Sequence, residues 1–161
     1  MRRRERDKPD TTAFDDLAAL YAEIDARLAD HSCPSTTECC RFGITGREPY
    51  VTGVELAYLQ KAIAKAGGKT PLERNKGAKR LPVAGLRDER TCPMLAADAR
   101  CAAYAARPLG CRTFFCERAS ADQALSQQET NAFVRRVKEI AAAERPGGDQ
   151  GRPLTRALGL G

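Results

Sequence analysis

Residues 33–40, CPSTTECC, and residues 92–116, CPMLAADARCAAYAARPLGCRTFFC, hold all seven cysteines of the chain. Cys33, Cys39 and Cys40 form one group and Cys92, Cys101, Cys111 and Cys116 the other, with 51 residues between Cys40 and Cys92. The intervals inside the second group are eight, nine and four residues, wider than the roughly two-to-four-residue knuckles of zinc fingers and ribbons. Pro, Ser, Thr and Gly surround the first group, a composition that suits a loop folded around something rather than a regular element. No cysteine falls on the long amphipathic stretches, where cysteines acting as core filler would also occur. The cysteines therefore read as a site.

Outward from these loops the pattern is helical. Asp10, Thr11 and Thr12 can cap a helix over about 12–30, whose apolar positions Phe14, Leu17, Ala18, Tyr21, Ile24 and Leu28 fall on one face. Glu48 to Thr52 suits a short strand. Thr52 and Glu55 have the spacing of a capping box, which predicts a second helix over 53–66 stopped by Gly67-Gly68. Pro93 suits the first turn of a short helix ending by Ala106, which would put Cys92 at a helix N-terminus, where the dipole lowers a thiol's pKa. Ser126 and Glu129 repeat the capping box ahead of Phe133, Val134, Val137, Ile140 and Ala141, for a helix over 126–144 closed by Arg145-Pro146-Gly147-Gly148.

The expected fold is mainly α: a small, irregular, metal-centred domain of three to four helices with long cysteine-bearing loops. Residues 1–9 read as a basic tail, 10–145 as the single domain, and 146–161 as a flexible C-terminal tail. A length of 161 residues fits one domain with a real core.

Seven cysteines are about 4 % of the chain, below the roughly 8–10 % of a disulfide-stapled secreted scaffold, and the number is odd. No secretory signal follows the charged start and no stretch approaches about 18 apolar residues, so the expected compartment is the reducing cytoplasm, with no membrane segment. Clustered cysteines there bind metal or do redox chemistry rather than cross-link. One histidine leaves little room for His-based catalysis, and no Gly-rich phosphate loop is present.

Four thiolates satisfy a tetrahedral zinc or an iron–sulfur cluster, and seven leave three for a second, open site. Adjacent Cys39 and Cys40 point to opposite sides in an extended segment, so they can serve two metals, or one ligates while the other packs. Seven bare thiolates repel one another; two zinc ions would bring their sum to about −3.

The run Cys92-Pro93-Met94-Leu95, Cys101, Tyr104, Arg107-Pro108, Cys111-Arg112, Phe114 and Cys116 resembles the second half of the YkgJ-type cysteine-cluster family, described as zinc- or iron-chelating proteins. Cys33, Cys39-Cys40, Thr52 and Glu55 match its first half, so the resemblance covers about residues 33–116. The chain departs from the pattern at Thr36, where the family places a cysteine, and at Thr37, where glycine is usual. The resemblance implies a metal-binding domain, commonly one carrying an iron–sulfur cluster. A related cluster occurs in flagellin lysine methylases, which implies a methyltransferase-associated module as an alternative.

The reading that results is a cytoplasmic metal-binding protein that uses Cys33, Cys39, Cys40, Cys92, Cys101, Cys111 and Cys116 to hold an iron–sulfur cluster, preferred, or zinc. Redox chemistry or electron transfer, as an iron–sulfur oxidoreductase, is the enzyme branch. Arg107 and Arg112 are expected to donate hydrogen bonds to the sulfur atoms. His31 is either an extra ligand or a charge partner of the first helix's C-terminus, and His31, Thr36 and water compete for the place of the missing eighth cysteine. The alternative is a structural-zinc adaptor whose basic surface binds RNA or an acidic protein. Residues 67–90 hold seven Lys or Arg against three acids. With an aromatic fraction of 6 % and no stacking motif, however, a solvated basic face is expected there rather than a nucleic-acid site.

Overall fold

The computed structural model describes residues 11–29, 37–71, 91–113, 125–145 and 149–159. It is mainly α among those residues. Helix α1 spans Thr11–Arg27, and α2 Phe42–Thr45 follows a 3-10 turn at Glu38–Cys40. Then come β1 Tyr50–Val51, α3 Gly53–Lys65, a 3-10 turn at Tyr104–Ala106 and α4 Leu109–Arg112. Helix α5 spans Gln127–Glu144, and β2 Arg152–Pro153 and α6 Leu154–Ala157 close the order. The two strands pair antiparallel, Tyr50 opposite Pro153 and Val51 opposite Arg152.

The three long helices lie where apolar periodicity and capping chemistry place them. In α1, Phe14, Leu17, Leu20, Tyr21 and Ile24 are buried on one face, the three-and-four spacing of a single stripe. Thr52 caps α3 and Ser126 caps α5, each with the reciprocal bond from the glutamate three residues on. The α1 stripe packs against Val54 of α3, Leu109 of α4 and Phe133, Val137 and Ala141 of α5. Exposed pairs tie the same helices together, Arg27 to Glu129 at 2.9 Å and Arg136 to Glu23 at 2.7 Å. Surface pairs contribute about 0–1 kcal/mol each, so the apolar seam dominates.

Glu129 gives α5 a pH signature. Bonds from the Ser126 backbone and hydroxyl, and then from Arg27, hold its carboxyl down from 4.5 to about 2. A carboxylate with a depressed folded pKa stabilises fully above its unfolded value and loses that effect as pH falls through the folded one. The stability gap between wild type and Glu129→Gln should therefore be constant above about pH 4.5 and close as pH falls to about 2. Acid titrations of urea unfolding check this; a gap that stays constant over that window contradicts it.

A second core gathers Phe42, Val51, Leu56, Leu59, Cys92, Met94, Ala106 and Leu154. Two sequence expectations are corrected here. Residues 93–103 form no helix: Ala96 N donates to Arg100 O at 2.8 Å and Ala102 N to Met94 O at 2.8 Å, and Leu95 bridges Cys101. The reversal runs through Asp98, whose Oδ1 accepts from Arg100 N at 3.1 Å, and Ala99 at φ +64°. This local turn, in which an Asp side chain bonds the backbone two residues on, overrides the helix propensity of the alanines, and Cys92 has no helix dipole behind it.

The C-terminal segment is also not a tail over residues 149–159. Leu154 is 1 % exposed in the second core, and its N–H donates to Pro49 O at 3.0 Å. Asp149 accepts from Gly53 N and from Gly151 N. Leu154, with Ala157 and Leu158 packed beside it, and one strand pair seat a stretch whose Gly, Pro and Arg content reads as loose. No helix among the described residues is long and apolar enough to cross a membrane.

Candidate metal centre

The two cysteine groups converge. The 3-10 turn carries Cys39 and Cys40, and Cys92 N donates to Cys40 O at 2.7 Å beside the Arg41–Thr91 bridge. The Leu95–Cys101 bridge brings Cys101 back, and α4 presents Cys111. Cys39 Sγ and Cys40 Sγ are 3.9 Å apart, and Cys40 also hydrogen-bonds Cys92. The charge of Cys101 reaches Cys40, and Cys111 is reached by Cys101, Cys40 and Cys39. All five of these cysteines are free thiols. Among the described residues, no three His, Cys, Asp or Glu side chains stand in a ready metal-coordinating set. His31, Cys33, Thr36 and Cys116 lie outside the described residues, as do residues 1–9 and 72–90 of the basic segments.

Electrostatically this is a site that resists bare thiolates. The Cys40 bond, then burial, push the Cys39 thiol up. The bond from Cys39 pulls Cys40 down, but its bond to Cys92, burial and the charges of Cys92 and Cys101 outweigh that and leave it pushed up to about 12. Cys111 shows a little surface to a cleft, yet burial pushes its thiol up, followed by the charges of Cys101, Cys40 and Cys39. Burial also raises Cys101. Such thiols are poor nucleophiles at neutral pH, since reactivity belongs to the thiolate. Cation binding would relieve the mutual repulsion that holds them protonated.

The two expected arginines have different surroundings. Arg112 is 2 % exposed with its donors committed: Nε to Arg107 O at 2.9 Å, NH2 to Ala105 O at 2.6 Å and NH1 to Asp25 Oδ2 at 2.5 Å. Its guanidinium lies 4.1 Å from the Tyr21 ring centroid. It clamps the loop before α4 onto α1. Arg107 stacks 4.0 Å from the Tyr104 ring and sits 3.8 Å from Asp25. Its Nε is buried with no hydrogen-bond partner, and its charge lowers the thiols of Cys39, Cys101 and Cys111.

Beneath the site lies Glu55, 2 % exposed. Its Oε2 accepts from Thr52 N at 2.9 Å and Thr52 Oγ1 at 3.0 Å, while Oε1 accepts from Tyr21 OH at 3.0 Å and Leu109 N at 2.9 Å. One carboxylate thus joins α1, α3 and the start of α4. The capping-box spacing showed only the Thr52 half of this. The flanking Val54 and Leu56 were the signal that Glu55 faces inward.

A cleft of about 190 Å³ opens beside the cysteines, lined by Cys39, Arg47, Glu48, Pro49, Gly110 and Cys111. A Cβ on Gly110 would come within 2.8 Å of Pro49 Cβ, so only glycine lets α4 approach this wall. Glu48 is held by Thr155 N at 2.7 Å and Thr155 Oγ1 at 2.5 Å. Nothing in the spacing of the sequence pointed to this cleft.

Thr37 precedes the vicinal cysteines at φ +63°. A β-branched residue is disfavoured in that left-handed region, where glycine is at ease. Thr37→Gly should raise stability by about 1 kcal/mol, the order of the left-handed penalty, as read from urea midpoints at unchanged slope. A loss of stability would show that the threonine side chain does more than its backbone suggests.

No family model, curated protein or solved structure matches the chain.

Proposed function

We propose that this chain is a thiolate metal protein of the YkgJ-like cysteine-cluster type, holding an iron–sulfur cluster in preference to zinc and working in the reducing cytoplasm. The observation that carries the reading is the convergence of Cys39 and Cys40 with Cys92, Cys101 and Cys111 across 51 intervening residues. Thiols that raise one another's pKa form a donor set suited to soft cations, and the charge of Arg107 favours the deprotonated forms of Cys39, Cys101 and Cys111. Thr37 adds support, since the position where the family pattern has glycine is one where the backbone is left-handed. Cys33 and Cys116 complete the proposed ligand set.

Bound there, a cluster would supply one-electron chemistry, with the chain contributing thiolates, hydrogen bonds and burial. Zinc would only tie the loops together. Purification without oxygen, a visible spectrum, and iron, sulfide and zinc per chain decide between them. Brown protein with stoichiometric iron and sulfide is the expected result. Colourless protein with tightly held zinc and no iron would replace the cluster with a structural-zinc adaptor, and absence of both metals would overturn the metal reading.

A further inference from the structure

Cys40 stands beside two other cysteines, and the two relationships differ in geometry. The antiparallel bridge of Arg41 with Thr91 sets Cys40 and Cys92 at directly opposite positions, where Cys92 N donates to Cys40 O at 2.7 Å. Their thiols are hydrogen-bonded as well. Cys39 is the chain neighbour, its Sγ 3.9 Å from that of Cys40. All three are free thiols, and the removal of two electrons and two protons joins any such pair as a disulfide.

Covalent geometry chooses between the partners. A disulfide spans Cα atoms roughly 4.4–6.8 Å apart. Directly opposite residues of an antiparallel pair have Cα atoms about 4.5–5.5 Å apart, inside that range, whereas consecutive residues are fixed at about 3.8 Å, below it. Cys40 therefore closes on Cys92 rather than on Cys39. Exposure assigns the roles: Cys40 is half-buried, while Cys92 lies buried in the second core with Cys40 packed against it. An oxidant in solution meets Cys40 first, and Cys92 is met by a sulfur already in place.

We propose that Cys40 and Cys92 form a reversible disulfide that closes the metal centre to metal when the surroundings turn oxidising. The oxidant is a low-molecular-weight disulfide. The Cys40 thiolate attacks one of its sulfurs, breaking that S–S bond, releasing one small thiol and leaving a mixed disulfide on Cys40. Cys92 then attacks the Cys40 sulfur and releases the second small thiol. The two protons lost by Cys40 and Cys92 pass to the two released thiols, so two protein thiols are oxidised as one small disulfide is reduced. Only the thiolate attacks, so exchange at these buried thiols is slow and the bridge answers sustained oxidation. Disulfides that form in a reducing cytoplasm commonly serve such sensing. The bond stands on the Arg41–Thr91 bridge; its effect on metal rests on the metal reading, because it takes two of the proposed ligands.

The test incubates the full chain, reduced and metal-free, with oxidised glutathione, blocks the remaining thiols and maps the linked peptides after trypsin. Cleavage after Arg27, Arg41, Arg90 and Arg100 gives peptide 28–41, with Cys33, Cys39 and Cys40, and peptide 91–100, with Cys92 alone. The expected product is 28–41 joined to 91–100, with fragmentation placing the bond on Cys40. Zinc uptake, read with a chromogenic chelator, should fall about tenfold or more on oxidation, since even changes behind the ligands bring roughly 10–100-fold, and return with dithiothreitol. Cys40→Ser should abolish the link, and the wild-type map carries the test if that variant does not fold. No link, or a bond from another cysteine, overturns the inference. A mapped Cys40–Cys92 bond with zinc uptake unchanged overturns the closure it is proposed to cause. A reduced chain that takes up neither zinc nor a reconstituted cluster overturns the metal reading and leaves the bond standing.

Discussion

Glu55→Ala should lower stability by about 4 kcal/mol, and Glu55→Gln by about 2 kcal/mol, among the larger effects any single substitution brings. The carboxylate accepts four hydrogen bonds, from Thr52 N, Thr52 Oγ1, Tyr21 OH and Leu109 N. Alanine leaves these buried donors facing a void; each unsatisfied buried group costs about 1–3 kcal/mol, less whatever water recovers. Glutamine keeps one oxygen for two donors and turns an amide NH2 toward the others. Burial first, then Glu55, pushes the Tyr21 phenol up, so it remains a neutral donor throughout the accessible pH range. Tyr21→Phe, which removes one donor and leaves the other three bonds intact, should cost about 1 kcal/mol. The ranking alanine, glutamine, then Tyr21→Phe is read from chemical unfolding. A Glu55→Gln variant within about 0.5 kcal/mol of wild type would show that the hub is not needed.

The consequence reaches the site because Leu109 begins α4, and α4 carries Cys111 and Arg112. Loss of the Glu55 acceptor loosens the start of the helix that positions one proposed ligand. Reduced metal content in Glu55→Gln is therefore expected together with reduced stability, even though Glu55 touches no cysteine.

Legibility in the sequence followed the range of the interactions involved. Helices α1, α3 and α5 are set by period and by caps within four residues, and both were visible in Phe14 to Ile24, in Thr52-Glu55 and in Ser126-Glu129. Residues 93–103 were misread because a permissive Pro93 and several alanines favour a helix, while the Asp98–Ala99 reversal overrides them and the pairing of Cys92 with Cys40, 52 positions apart, anchors the segment in that form. Residues 149–159 were misread for the same reason: Leu154 and Asp149 find their partners about 100 residues upstream. The candidate site was legible as a set of cysteines because clustering is a property of the sequence, and the fold brings Cys40 and Cys92 together. The division of labour between Arg107 and Arg112 was not. It depends on Asp25, which on the sequence is an ordinary polar position on the outer face of α1.

Cys111→Ser should separate folding from metal binding more cleanly than any other cysteine change. Cys92 is buried in the second core with Phe42 and Met94, so serine there would place a hydroxyl among apolar groups and weaken the metal-free fold directly. Cys111 borders the cleft, where a serine hydroxyl finds water. The metal-free melting temperature of Cys111→Ser should then stay close to wild type, while metal affinity falls by more than the roughly 10–100-fold that changes behind the ligands bring. The sign of the pH dependence follows from the same thiols. Each ligand must lose a proton to bind, and Cys39, Cys40, Cys101 and Cys111 are all held above the ordinary thiol range. Protons therefore compete with metal, affinity falls as pH falls, and binding acidifies an unbuffered solution. Removing one thiol ligand should reduce the proton count released per metal by about one. Metal titrations across pH on wild type and Cys111→Ser give both numbers. Unchanged affinity, unchanged proton release and an unchanged melting gap between loaded and metal-free protein would remove Cys111 from the ligand set and leave α4 a purely structural element.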